Sequence, residues 1–213
     1  MQALKVLSIL TLTLLAISIS SYSTANEGTV NIVSFSEKQS EEKPDLTEAE
    51  KKKIRENVKT LKNTNKCVGC DLRGADLSEA DLEGANLFNA DIRWADLSGA
   101  YLRGADIRFA DLEEAKLTGA DLRGADIMEA DLSGADLYKA DLRQANLFGA
   151  HLTHADLRNA DLIDAYLRGA DIRWAELYRA DLYKADLEEA KLTGADLRNA
   201  NLYNADLRNA DLS

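Results

Sequence analysis

Cys67-Val68-Gly69-Cys70 is the one place in this 213-residue chain where spacing suggests thiol chemistry. A Cys-x-x-Cys pair can be a redox dithiol, half of a zinc site, a haem attachment point or a structural disulfide. A redox dithiol needs an exposed thiolate of low pKa at a helix N-terminus beside a βαβ pattern, and neither flanks this pair. Haem attachment needs His after the second cysteine, where Asp71 stands. Zinc needs further ligands nearby. The only histidines, His151 and His154, lie far along the chain and fall on the outward register described below. With Asp131 and Asp171 beside His151 they form at most a weak surface metal site, because metal centres need three or four converging donors. The expected catalytic, cofactor-binding and metal residues are therefore none. There is no phosphate-cradling glycine loop, and no insertion is long enough to build a pocket. The sequence points away from an enzyme.

The element that must position Cys67 and Cys70 is a repeat. Ala occupies every fifth position from Ala75 to Ala210, and Leu or Ile every fifth from Leu72 to Leu212. This makes 28 pentads, followed by a last Ala210-Asp211-Leu212-Ser213. Such strict self-similarity decides the architecture before any local assignment. Five residues match neither the 3.6 period of a helix nor the 2.0 period of a strand. Ala and Leu are two apart, as on one strand face, so the two residues after each Leu must absorb the odd step as a corner. The second of these is Gly in ten pentads and Asn in five, residues that tolerate positive φ. A corner every five residues coils the chain into a solenoid with Ala and Leu inside. Cys67 falls on the Leu register and Cys70 on the Ala register, so both point inward.

This A-(D/N)-L-x-x pattern over residues 70–213 resembles the pentapeptide repeat family. The resemblance implies a right-handed quadrilateral β-helix with four pentads per coil, and thus about seven coils. At about 4.8 Å per stacked strand the rod would be about 34 Å long. The expected fold class is an all-β solenoid with a short N-terminal α-helical cap. Leu-on-Leu stacks such as Leu82, Leu102, Leu122 and Leu142 should fill it. The Cys-x-x-Cys-Asp-Leu junction after a short helix also resembles exported members known from cyanobacteria.

Outside, the residue before Leu is Asp in 20 of 29 cases, and Arg follows Leu in eleven. Stacked carboxylates repel at strand spacing, and the arginines lie close enough to offset this. The repeat segment carries 29 acidic and 16 basic residues, net −13, which excludes direct nucleic-acid binding through phosphates. It leaves open a DNA-mimic regulator of a topoisomerase, the role attributed to some members of the family.

The N-terminal third differs in composition. Residues 1–25 read as a signal peptide, with Lys5, an apolar run from Val6 to Ile19, and Ser23-Thr24-Ala25 as the cleavage site. The 14-residue run is short for a membrane span, so no stable anchor is expected after cleavage. The expected location is the periplasm or the thylakoid lumen. There the bland reading of Cys67 and Cys70 is a structural disulfide, with a thiol-disulfide redox role as the alternative. Residues 26–44 read as a flexible leader, although Val30 to Phe35 could form a strand. Residues 45–66 read as a capping helix. Thr47 and Glu50 form a capping-box pattern, and Ile54, Val58 and Leu61 recur at helical spacing. Its task is to cover the first coil of the 67–213 rod.

Two features bear on partners. With four pentads per coil, one side collects Phe88, Phe109, Met128, Phe148 and Tyr166, a candidate interaction stripe for an unidentified protein partner. Near-copies lie within the rod: Tyr101–Arg108 recurs 65 residues on, and Asp111–Arg123 recurs 75 residues on. Neither offset is a multiple of twenty, so the copies face different sides. The last coil, around Leu197, Leu202, Leu207 and Leu212, offers an unpaired edge for a possible homodimer.

Overall fold

The computed structural model describes residues 43–213. The expected signal peptide, the expected strand at Val30–Phe35 and nearly all of the expected leader lie outside the described residues. One helix, α1 (Glu48–Thr64), precedes the repeat, starting three residues inside the 45–66 span read from the sequence and ending two residues short of it. The reason is the capping box: Glu50 N–H donates to Thr47 Oγ1 at 3.3 Å, and Thr47 N–H donates to Glu50 Oε2 at 2.8 Å. The helix stops at Asn65, whose left-handed φ of 56° turns the chain into the first coil.

From Lys66 onward every β-bridge joins one coil to the next. Each of 26 parallel bridges joins residue i to residue i+20, as in Asp71 to Asp91 to Asp111 to Asp131. A coil is therefore four pentads. Each side is so short that a single residue per pentad, the one before Leu, sits in the ladder, and no side extends into a longer strand.

The hydrogen-bond ledger of one pentad explains the consensus. In Ala120 to Gly124, Asp121 N–H donates to Ala100 O at 2.9 Å, back to the preceding coil. Leu122 N–H and Gly124 N–H donate forward to Asp141 O and Arg143 O, at 2.8 and 2.9 Å. Ala125 N–H closes the turn onto Leu122 O at 3.0 Å. Only Arg123 N–H lacks a backbone acceptor, and Asp121 Oδ1 takes it at 3.2 Å. A short carboxylate or amide two residues upstream is the geometry of an Asx turn, so the position selects Asp or Asn. Asn86, Asn146 and Asn201 do the same for Phe88, Phe148 and Tyr203. Sequence reasoning treated the Asp columns as a charge problem and missed this role. The presence of Asn as the neutral substitute was the available signal.

The corners carry a second surprise. The residue two after each Leu has positive φ in all 28 pentads, and 18 of these are not glycine. Glu, Lys, Trp, Phe, His and Arg occupy a region that disfavours side chains by roughly 1–2 kcal/mol. None of the 18 is Val, Ile or Thr, for which the left-handed region is worst. The cost is tolerated because the corner N–H and the Leu beside it are both fixed by the coil stack. Leu and Ile from Leu72 to Leu192 are at most 3% exposed, and each contributes about 1.5–3 kcal/mol over exposure. Ala between them lets the walls approach.

Helix α1 belongs to this core. Ile54 and Leu61 lie in the same apolar cluster as Cys67, Leu72 and Leu77, with Val58 half-buried beside them. Two side-chain amides replace donors that a preceding coil would supply. Asn57 Nδ2 donates to Asp71 O at 2.9 Å, and Asn65 Nδ2 to Glu83 O at 2.6 Å. Those carbonyls hold the places taken one coil on by Asp91 O and Arg103 O, which accept from Leu72 N–H and Gly84 N–H. Arg73 adds an ion pair to Glu50 at 3.2 Å. No helix among the described residues is long and apolar enough to cross a membrane.

Candidate interaction surface

Cys67 and Cys70 form a disulfide with a Cα–Cα distance of 5.3 Å. Cys67 is 2% exposed and its Sγ lies 3.7 Å from Asn57 O on α1, while Cys70 is half-buried at the edge of the core. The inward register places the pair where the helix meets the first coil. No sulfur is presented as an open thiolate, the form thiol exchange requires.

The aromatic residues of the expected stripe lie along one corner of the coil, with Tyr166 on the adjoining side. Phe88 and Phe109 meet edge to face at 5.6 Å between ring centroids. Arg108 stands between them in chain order, its guanidinium 5.4 Å from the Phe88 ring. Phe109, Phe148 and Tyr166 are 49%, 42% and 56% exposed, while Phe88 and Met128 are half-buried. The structure thus brings Phe88, Arg108 and Phe109 into one cluster and leaves Phe148 and Tyr166 as separate exposed rings further along.

Charge on the surface is organised by forks. Arg123 donates from Nε to Asp121 Oδ1 at 2.7 Å and also lies 3.5 Å from Asp141 Oδ2 one coil on. Arg73, Arg93, Arg108 and Arg143 bridge successive carboxylates in the same way. Hydrogen bonds from their own arginines hold Asp71, Asp106 and Asp121 below the usual carboxylate range. Arg198 pulls half-buried Asp196 down to about 2. Burial instead pushes Asp111 and Asp161 up, with neighbouring carboxylates in the same columns adding to the shift.

His151 and His154 are both exposed, and His151 pairs through its backbone with Asp131 and Asp171. A carboxylate group the sequence reading did not single out is Asp186, Glu188 and Asp206, whose oxygens converge within 4.8 Å. Arg208 already reaches into it, 3.0 Å from Glu188 and 2.7 Å from Asp206, and Arg168 lies 3.2 Å from Glu188. The cationic partners there are guanidinium groups.

The arrangement offers a continuous apolar interior and a patterned exterior. HetL from the cyanobacterium Nostoc sp. strain PCC 7120, a pentapeptide repeat protein involved in heterocyst differentiation regulation, is 35% identical over 69% of this chain and 82% of its own, with TM-score 0.46. Rfr23 from Cyanothece 51142 is 25% identical over 75% of this chain and 99% of its own, with TM-score 0.39. A pentapeptide repeat protein of the Arabidopsis thaliana thylakoid lumen is 35% identical over 49% of this chain and 66% of its own, with TM-score 0.31. No curated protein sequence matches the chain. The family model for pentapeptide repeats matches residues 66–104, 105–144, 145–182 and 180–213. With that match over more than half its length, the chain belongs to the pentapeptide repeat family, whose members form right-handed quadrilateral β-helices.

Proposed function

We propose that this protein is an exported, non-enzymatic interaction rod of about seven coils. Residues 1–25 direct export to a periplasm or thylakoid lumen, and α1 caps the first coil. The corner carrying Phe88, Phe109, Met128 and Phe148, with Tyr166 beside it, meets a protein partner. The observation that carries the reading is the Phe88–Arg108–Phe109 cluster, apolar surface kept outside a core that already buries its Leu and Ala. The disulfide fits an oxidising compartment.

The test is Phe88, Phe109 and Phe148 changed together to Ser, followed by crosslinking in the native compartment. The rod should stay folded and lose its crosslinked partner. Unchanged crosslinking in the folded variant would make the corner decoration. The net −13 of the repeat favours a second reading, a DNA mimic acting on a topoisomerase. Cell fractionation separates the two, since that target is cytoplasmic. A redox role is less supported, because Cys67 is sealed beneath α1. The last coil, with Leu212 exposed and Leu197, Leu202 and Leu207 half-buried, is the surface through which two copies would pair. Light scattering at rising concentration tests that pairing, and a strict monomer rejects it.

A further inference from the structure

A different side of the coil holds a second organised surface. Along the segment Trp174-Ala175-Glu176-Leu177-Tyr178, Ala175 and Leu177 are buried, so the other three side chains point outward in a row. Trp174 stands at one corner and Tyr178 at the next, with Glu176 between them. The walls are at most about 14 Å apart for four extended steps. Trp174 is 52% exposed, and its six-membered ring lies over Gly194 of the next coil. A Cβ at Gly194 would come within 2.2 Å of that ring, so the glycine is what lets the indole lie there. Arg158, Asp196 and Arg198 complete a cleft of about 540 Å³.

Each charged side chain lining this cleft already has an ionic partner. Arg158 Nη2 is 2.5 Å from Asp156 Oδ2 and its Nε is 3.1 Å from Glu176 Oε2. Arg198 Nη2 is 2.7 Å from Asp196 Oδ2. A phosphate would need unpaired guanidinium groups, and a metal ion would need unpaired carboxylates. Paired ions instead act as fixed hydrogen-bond donors and acceptors. An exposed aromatic wall beside such a set suits a ligand with one apolar ring face and many hydroxyls. We propose that the Trp174–Glu176–Tyr178 trough binds neutral oligosaccharide, a sugar ring stacking on Trp174 and its hydroxyls bonding to Glu176, Asp196 and the two arginines.

The chain has two tryptophans, so Trp94→Phe leaves Trp174 as sole indole reporter. The probes are maltotetraose, cellotetraose and N-acetylated chitotetraose, titrated into the full chain. At least one should shift Trp174 emission saturably below about 10 mM. In calorimetry with Trp94 intact, Trp174→Gly should weaken that binding about tenfold. Glycine occupies this corner in ten other pentads, so the variant should melt with the parent. Glu176→Gln should weaken binding severalfold, and high salt should leave the parent's affinity unchanged. No saturable shift with any of the three sugars overturns the proposal. So does a Trp174→Gly rod that binds as tightly as the parent, or binding abolished by salt.

Discussion

Asp131 separates the two roles that the ladder aspartates combine. Its Oδ1 accepts the backbone N–H of Ser133 at 2.9 Å, and Ser133 is only 5% exposed. Asp131 is also a like-charge neighbour that pushes up the pKa of Asp111. Asp131→Asn keeps an acceptor oxygen in place and removes the charge. Asp131→Ala removes both. If the Asx turn dominates, Asp131→Ala leaves a buried N–H without a partner and costs about 1–3 kcal/mol. For a chain of this size that is a loss of roughly 3–9 °C in Tm. Asp131→Asn should then stay within about 0.5 kcal/mol of the parent or exceed it slightly, as expected when a repelling charge is relieved. Urea melts give the stability, and amide exchange at Ser133 localises the effect: protection should fall in the Ala variant alone. Equal destabilisation by Asn and Ala would show that charge governs the position, and an unperturbed Ala variant would refute the hydrogen-bond account outright.

Leu122, 1% exposed in the middle of the rod, should not accept a charge. Leu122→Asp should abolish cooperative unfolding, and a melt within a degree or two of the parent, roughly 0.5 kcal/mol, would reject the inward register. Cys67 and Cys70 should resist alkylation in the native protein, with mass spectrometry as the readout. Their double change to Ser should raise exchange in α1 while sparing the distal coils. Acid should weaken the rod through its forked carboxylates. The folded pKa values of Asp71, Asp106 and Asp121 lie below the unfolded value of 3.8, so their stabilisation is present above that pH and is lost as pH falls through the folded values. Asp111, raised by burial, has the opposite sign, so Asp111→Asn should raise the urea midpoint at pH near 7 but not near 3.

The coil was legible because its cause is periodic. Ala at every fifth position and Leu three residues earlier leave no other arrangement that buries both, and the inward placement of Cys67 followed from the same count. The helix was legible through Thr47, Glu50, Ile54 and Leu61. What escaped was everything carried by side chains bonding to backbone. Asn57 and Asn65 read as ordinary polar helix residues, yet they stand in for the donors of an absent coil, a role visible only once the coil's own hydrogen bonds are known. Non-glycine corners such as Trp174 escaped because left-handed φ is a poor local choice that the stack imposes from outside. Column arithmetic put Phe88 near Phe109, but the place of the Arg108 guanidinium against the Phe88 ring depends on a side-chain conformation that register alone does not fix.

Because one coil is four pentads and all four inner walls present the same Ala and Leu, the interior cannot tell which side of the rod a pentad occupies. Inserting or deleting five residues would leave the core intact and rotate every downstream side chain by a quarter-turn, as a dial advances one stop. The internal copies displaced by 65 and 75 residues are three coils plus one or three stops apart. Surface novelty is therefore cheap in this architecture: a single duplication brings aromatic rings and charged forks that formerly faced different directions onto one line, without passing through an unfolded intermediate in its history.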